Sequence, residues 1–188
     1  MKIEDVFGQL PVLETERLIL RPLKWEDRED MFAYGSDPEV TRYVTWYTHQ
    51  KIEDTDEFIR TVLDNYETGK LAPWAVEEKA SGKMIGTAGY VGWQTRHFRG
   101  EIGYALARPY WNRGYATEIT KPVLQFGWEQ MKLIRIEARC MPGNIGSSKV
   151  MEKLGMQYEG LLRKHLYAKG SFHDAKMYSI IRAVDDFV

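Results

Sequence analysis

Residues 108–118 (RPYWNRGYATE) join a predicted strand to a predicted helix and carry the residue types of an anion-binding site. A helix that begins at Gly114 leaves its first backbone N–H groups without carbonyl partners, and the positive end of its dipole points the same way. Gly114 and Ala116 keep bulky side chains away from those groups, and Arg113 adds a positive charge. We therefore expect this helix start to bind an anion such as a phosphate. The alternative is a plain strand-to-helix connection, and neither glycine-rich nucleotide-binding motif, GxxxxGK[S/T] or GxGxxG, occurs in the chain.

Hydrophobic periodicity places this stretch in a mixed α+β layout. The predicted strands are 17–21, 74–78, 83–91, 100–106, 133–140, 156–167 and 174–184. The predicted helices are 25–35, which an Asp-Pro pair at 37–38 closes, 52–68, 114–131 and 147–154. A Ser-Gly pair at 81–82 and a Lys-Gly pair at 169–170 indicate two hairpin turns. The order β-α-α-β-β-β-α-β-α-β-β predicts one sheet with helices on its faces.

The length, net charge and composition limit the class of protein to which this chain can belong. The chain has 188 residues, which suits a single domain, and a net charge of −1, which argues against a nucleic-acid partner. No apolar run is long enough for a membrane helix, and the start of the chain has no apolar signal core. The single cysteine, Cys140, excludes an internal disulfide, and we expect it to be buried and unreactive in a cytoplasmic protein. The four histidines show no ligand spacing, so we expect no metal site.

Four blocks of the sequence resemble the GCN5-related N-acetyltransferase (GNAT) superfamily, and within it the branch of ribosomal-protein N-terminal acetyltransferases. They are 101–118 (EIGYALARPYWNRGYATE), 142–156 (PGNIGSSKVMEKLGM), 14–23 (ETERLILRPL) and 169–179 (KGSFHDAKMYS). The resemblance extends over about residues 12–184 of a single domain, 1–188. It implies the three-layer GNAT fold, whose mixed and mostly antiparallel central sheet splays between its fourth and fifth strands and carries helices on both faces. It also implies an acyltransferase that moves an acetyl group from acetyl-CoA to a primary amine.

The same resemblance implies where acetyl-CoA binds. The family's loop pattern, Gln/Arg-x-x-Gly-x-Gly/Ala, falls on Trp111, Gly114 and Ala116, so Trp111 replaces a polar residue and is expected to fix the loop by packing. The amides that would hold the pyrophosphate belong to Asn112, Arg113, Gly114, Tyr115, Ala116 and Thr117. The pantetheine arm would lie in the gap of the sheet like an added strand and pair with the backbone of Ala105 and Leu106. A backbone N–H there would also support the oxyanion of the thioester.

Glu101 is the candidate general base, because related enzymes often carry a base at its position, commonly acting through water. The acceptor amine must be neutral to attack. An α-amino group titrates near about 7.7–8.0 and a lysine near about 10.4, so an α-amine needs less help at neutral pH. The alternative for Glu101 is a structural carboxylate paired with Arg99 or with a nearby amide.

Ser147 is the candidate acid for the departing thiolate. Many superfamily members use a tyrosine four residues before the glycine of a Gly-Phe pair, and here that position holds Met151, which has no proton to give. The resemblance to this branch implies the acid role for the serine of the AsnxxSer block instead, with Tyr158 or Tyr167 as weaker candidates. Ser147 is also well suited to be a helix N-cap. The amide of Asn144 would bond the pantetheine or order its loop.

The acceptor site is expected in the aromatic-rich segments 43–50 and 90–98 together with Trp74, while part of the same rings would belong to the core. Arg96 and His97 in the second segment disfavour a strongly basic acceptor. The resemblance implies a protein N-terminal amine as the acceptor, and the alternative is a small amine such as a polyamine, an amino acid or an antibiotic. The competing classes are a non-catalytic acyl-CoA-binding or sensing domain and a domain without ligand. The sequence leaves a homodimer open.

Overall fold

A computed structural model describes residues 3–183. The strands are β1 (Leu13–Glu14), β2 (Leu18–Pro22), β3 (Trp74–Glu78), β4 (Met84–Gln94), β5 (Arg99–Leu106), β6 (Arg135–Cys140), β7 (Gln157–Ala168) and β8 (Ser171–Ile181). The α-helices are α1 (Glu4–Phe7), α2 (Arg28–Gly35), α3 (Pro38–Thr41), α4 (Ile52–Glu67), α5 (Tyr115–Glu129) and α6 (Ile145–Lys153). Short 3-10 turns cover Trp25–Asp27, Thr95–His97 and Arg108–Tyr110.

The eight strands form one sheet in the order β1-β2-β3-β4-β5-β6-β8-β7. Every neighbouring pair is antiparallel except β5 and β6, which are parallel. Their register runs from Arg99–Arg135 to Ile102–Ala138, whereas β5 continues to Leu106. The two strands therefore separate after Ile102 and leave a gap. The predicted splay is confirmed, and it lies between the fifth and sixth strands because the two-residue β1 precedes the expected first strand.

Both faces of the sheet are covered, because two separate cores pack helices against its opposite sides. One core packs α5 and α6 against the sheet and includes Ile102, Leu106, Ile119, Val123, Phe126, Ile136 and Met151. The other core packs α2 and α4 against the opposite face and includes Met31, Tyr34, Ile59, Val62 and Ala75. The α+β class with helices on both faces is thus confirmed. Glu101, which precedes Ile102, lies on the α2–α4 face.

Several element boundaries differ from the expectation by a few residues. The Asp-Pro pair at 37–38 starts the short helix α3 instead of only closing α2, because Asp37 accepts a hydrogen bond from the Glu39 amide at 2.9 Å and proline suits the first turn. Helix α6 begins at Ile145, two residues before the predicted 147. The last strand ends at Ile181, and the predicted end at residue 184 lies outside the described residues.

Candidate active site

The loop before α5 contains two residues whose backbone angles lie in the left-handed region of φ/ψ space. Asn112 has φ 58° and Gly114 has φ 82°. Asparagine tolerates this region better than most other side chains, so Asn112 can adopt this φ without being a glycine. A Cβ on Gly114 would stand 3.5 Å from Nη2 of Arg17, an ordinary contact, so the backbone conformation and not the space calls for glycine. The helix that follows leaves the N–H groups of its first turn, Tyr115 to Thr117, without intrahelical acceptors.

Two arginines lie beside this helix start. The guanidinium of Arg113 lies over the rings of Tyr110 and Tyr115, at 5.7 and 5.1 Å from their centroids. Arg17 covers the Tyr115 ring at 4.1 Å, and its Nη1 donates to the carbonyl of Arg113 at 3.1 Å. Its Nε also donates to Glu118 of α5 at 2.7 Å. Arg17 therefore ties the loop to the helix, a role that the sequence did not reveal although the residue belongs to the 14–23 block.

Trp111 anchors the loop to the end of β5. Its indole Nε1 donates to the carbonyl of Leu106 at 2.7 Å, and its side chain remains half-exposed. The expectation that Trp111 fixes the loop is confirmed. This contact also occupies the Leu106 carbonyl. The Leu106 N–H is therefore the backbone group of this residue that could pair with a ligand in the gap.

Strand alternation decides which backbone groups face the gap. The Ala107 N–H donates to the Ile85 carbonyl on β4 at 2.8 Å, and the register pairs Ala105 with Thr87 of the same strand. In an antiparallel pair, every second residue directs both its N–H and its C=O to the same neighbour. The groups of Ala105 therefore face β4, and those of Tyr104 and Leu106 face the gap. We replace Ala105 by Tyr104 in the expected backbone pairing.

Glu101 is held by a guanidinium on β6. Its Oε1 accepts from Nε of Arg139 at 2.6 Å, and Nη1 of Arg139 lies 2.8 Å from Nε2 of the exposed His165. The alternative partner, Arg99, instead contacts Glu137 at 3.3 Å and Gln94 at 2.7 Å. The Glu101 side chain keeps 19% of its surface exposed, so it remains open to solvent or to a substrate.

The start of α6 is capped by Asn144. Its Oδ1 accepts from the backbone N–H of Ser147 at 3.1 Å. Asn144 and not Ser147 is therefore the N-cap, which corrects the alternative role for Ser147. The Ser147 hydroxyl instead lies 3.0 Å from the hydroxyl of Tyr104 on β5. Asn144 orders the loop through this cap, and its contact with CoA stays a prediction.

Tyr104 is a residue that sequence reasoning missed. Burial raises its pKa to about 12, and the hydrogen bond with Ser147 opposes the rise. Met151 is fully buried in the core. The weaker acid candidates, Tyr158 and Tyr167, lie on β7, where both side chains are exposed. In the sheet, strands β6 and β8 stand between β7 and β5.

Cys140 ends β6 and is buried. Its Sγ lies 3.4 Å from the hydroxyl of Ser148. Burial raises the pKa of the thiol, so the thiolate that a covalent mechanism would need is disfavoured. The expected packing role of this cysteine is confirmed.

The aromatic segments divide between core and surface. Trp74, expected near the acceptor, is fully buried and donates its indole N–H to the Pro11 carbonyl at 2.7 Å, so that expectation is wrong. Tyr90 is also core, and its hydroxyl donates to the Val123 carbonyl at 3.0 Å. Tyr47 and Phe98 are exposed.

A cavity of about 30 Å³ opens on the α2–α4 face. It is lined by Met31, Tyr34, Gly35, Trp46, His49, Phe58 and Thr87.

Two general properties bear on the class of site. Within residues 3–183, no helix is both long and apolar enough to cross a membrane. In the same part of the chain, no cluster of three or more His, Cys, Asp or Glu side chains could hold a metal ion.

Comparison with known proteins agrees with this geometry. The family model for the acetyltransferase (GNAT) domain matches residues 17–157. The chain is 36% identical to the uncharacterized N-acetyltransferase YoaA of Bacillus subtilis (strain 168), over 92% of this chain and 97% of that protein. The crystal structure of a GNAT-family acetyltransferase from Bacillus anthracis superposes with a TM-score of 0.80 at 30% identity, covering 91% of this chain and 98% of that one. At 16% identity, and so for the fold alone, the RimL ribosomal L7/L12 α-N-protein acetyltransferase in complex with coenzyme A gives a TM-score of 0.79, covering 91% and 98%. The chain therefore belongs to the GNAT family and is an acyltransferase.

Proposed function

We propose that this protein transfers an acetyl group from acetyl-CoA to a primary amine by direct attack of the amine on the thioester. The observation that carries the proposal is the gap between β5 and β6, which opens after Ile102 and leads to the loop before α5. An extended pantetheine arm fits such a gap as an added strand. The backbone groups of Tyr104 and Leu106 that face the gap would be its partners.

The loop geometry supports pyrophosphate binding at the start of α5. The left-handed residues Asn112 and Gly114 bring the chain into the helix with its first N–H groups unpaired. The amides of residues 112–117 would hold the phosphate oxygens, and the helix dipole would favour their charge. Arg113 and Arg17 would add positive charge at one side of the loop while they remain packed on Tyr115. RimL binds coenzyme A in its structure, which supports the same ligand here.

The acid and base candidates lie on opposite faces of β5. Glu101 lies on the α2–α4 face, and Ser147 lies on the α5–α6 face beside Tyr104. A thioester in the gap would therefore have a carboxylate on one side and a hydroxyl on the other. The amine nitrogen would attack the carbonyl carbon from the Glu101 side and lose a proton to Glu101, directly or through water. The C–S bond would break with its electron pair moving to sulfur, beside Ser147.

The acceptor that we favour is an α-amino group. About a tenth of a free α-amine is neutral at pH 7 and about half at pH 8, far more than of a lysine, so one carboxylate that acts through water can assist it. The likeness in fold to an α-N-protein acetyltransferase points in the same direction. A small-molecule amine is the second candidate, and the exposed rings of Tyr47 and Phe98 would provide contact surface for either acceptor.

The test is amine-dependent release of CoA thiol. Purified full-length protein is mixed with acetyl-CoA and one of three probes: the peptide trialanine, Nα-acetyl-lysine or spermidine. We expect thermal stabilisation by acetyl-CoA alone and thiol release with trialanine that exceeds release with Nα-acetyl-lysine. Stabilisation without thiol release from any amine would indicate a sensing domain and contradict the proposal. Release with spermidine alone would replace the α-amine by the small-amine acceptor.

A further inference from the structure

The side chain of Tyr104 on β5 reaches Ser147 in the first turn of α6. Its hydroxyl lies 3.0 Å from Oγ of Ser147 and 3.4 Å from the Ser147 carbonyl oxygen. We propose that Tyr104 is a positioning residue, which orients the Ser147 hydroxyl toward the sulfur of the departing CoA. This inference rests on the acetyl transfer proposed above.

The placement of the pair supports the assignment. The last paired residues of β5 and β6 are Ile102 and Ala138, so Tyr104 lies in the part of β5 that has left β6. Its side chain is on the face opposite to that of Glu101, because the two residues are three positions apart on one strand. The pair of hydroxyls therefore borders the gap on one face, and the candidate base borders it on the other. The nitrogen and the sulfur of the reacting centre would each meet a separate polar group.

The environment of Tyr104 keeps its hydroxyl protonated and able to donate a hydrogen bond. Burial raises its pKa to about 12, so the phenol keeps its proton at neutral pH. Both oxygens within reach of that proton belong to Ser147. When the phenol donates to Oγ, the serine's own O–H group is not used in this contact and can donate to a third acceptor. In the reverse arrangement the serine proton points at Tyr104, and the sulfur receives no hydrogen bond.

The reaction balances without a change in the protonation of either hydroxyl. The C–N bond forms, the ammonium proton passes to Glu101 or water, and the C–S bond breaks with its electron pair on sulfur. Ser147 donates a hydrogen bond to the developing thiolate, and Tyr104 holds the serine oxygen through its own donated bond. The thiolate takes up a proton from water when CoA is released, while Glu101 returns its proton to water.

The experiment compares kcat, the KM for acetyl-CoA and the melting temperature of five variants, using the most active of the three amine probes. Tyr104→Phe removes only the hydroxyl, and we expect kcat to fall about tenfold while the KM changes less than about twofold. Ser147→Ala should lower kcat at least as much, and the double variant should fall no further than Ser147→Ala alone. Tyr178→Phe is the matched control, because its hydroxyl lies 3.3 Å from Glu152 on the same helix but away from the gap. Its kcat should stay within about twofold of the wild type.

Each contrary result identifies what fails. An active wild type whose Tyr104→Phe variant keeps its kcat, or loses it additively with Ser147→Ala, would overturn the positioning role and leave the proposed function intact. A kcat loss shared equally by Tyr178→Phe, with parallel drops in melting temperature, would reduce Tyr104 to a packing role. Ser147→Thr, which retains a hydroxyl, should preserve more of the kcat than Ser147→Ala, and equal losses would also contradict the assignment. A wild type without thiol release would overturn the proposed function and this inference together.

Discussion

The carboxylate of Glu101 and the guanidinium of Arg139 form an ion pair across β5 and β6, with Oε1 of Glu101 2.6 Å from Nε of Arg139. The pair lies on the α2–α4 face, next to the point where the two strands separate. Arg139 thus fixes the orientation of the candidate base from the neighbouring strand. An exposed fraction of 19% leaves the carboxylate accessible to an amine or to a bridging water.

Glu101→Gln should lower kcat/KM by about 10²-fold, because a positioned base contributes at least that much to proton transfer. The loss should shrink at high pH, where the amine deprotonates without help. A pH–rate profile with trialanine measures both effects. Glu159→Gln is the matched control, since Glu159 is also paired with an arginine, Arg135, at 2.5 Å. An unchanged kcat and profile in Glu101→Gln would leave the ion pair with a structural role only.

Glu159→Gln should reduce stability in a pH-dependent way. The hydrogen bond from Arg135 lowers the pKa of Glu159 to about 2, below the value of about 4.3 of a free glutamate. A lowered folded-state pKa stabilises the protein above the unfolded pKa, and this contribution disappears as the pH falls toward 2. Because the side chain is 40% exposed, we expect a loss below about 1 kcal/mol at pH 7. Urea unfolding at pH 7 and pH 3.5 measures it, and an equal difference at both pH values would contradict the pairing.

Asn144→Ala and Ser147→Ala should separate helix capping from chemistry. Asn144 caps α6, so its removal should lower the free energy of unfolding by about 1 kcal/mol. Ser147→Ala removes a hydroxyl but keeps the capped N–H, so its stability should change less while its kcat falls. Denaturant unfolding and steady-state kinetics on both variants provide the comparison. The reverse order of stabilities would return the cap to Ser147.

Gly114→Ala should weaken acetyl-CoA binding and lower stability together. At φ 82° an alanine side chain costs about 1 kcal/mol of backbone strain, and relief of that strain would move the loop. Gly82→Ala is the matched control, because Gly82 has φ 66° in the β3–β4 turn and open space around its Cβ. Calorimetric titration should show weaker acetyl-CoA binding for Gly114→Ala alone. Equal affinity in the two variants would argue against phosphate binding at this loop.

Most of the fold could be predicted because local sequence patterns indicate its strands, turns and helices. Period-two strands, two hairpin turns and the glycine before α5 are signals within a few residues of one another. The splay followed from the family resemblance, and the register of β5 and β6 confirms it. Helix boundaries are harder to predict, since Asn144 and Ser147 are both good cap residues and only the fold selects one.

The parts of the site that could not be predicted from the sequence are contacts between residues distant along the chain. Tyr104 meets Ser147, and Arg17 meets Glu118, through packing that no local pattern encodes. Trp74 shows the related difficulty, because an aromatic residue suits both a binding groove and a core. On β3 it is paired with the buried Ala88 of β4, and its ring is fully buried in the core.

The most direct test of the central claim is simultaneous measurement of CoA thiol release and acetylated product in one reaction of acetyl-CoA with trialanine. The account predicts one acetylated peptide for each thiol released, with both rates lowered together by Glu101→Gln and by Tyr104→Phe. Acetyl-CoA binding without either product, for trialanine and for the other amines, would contradict it.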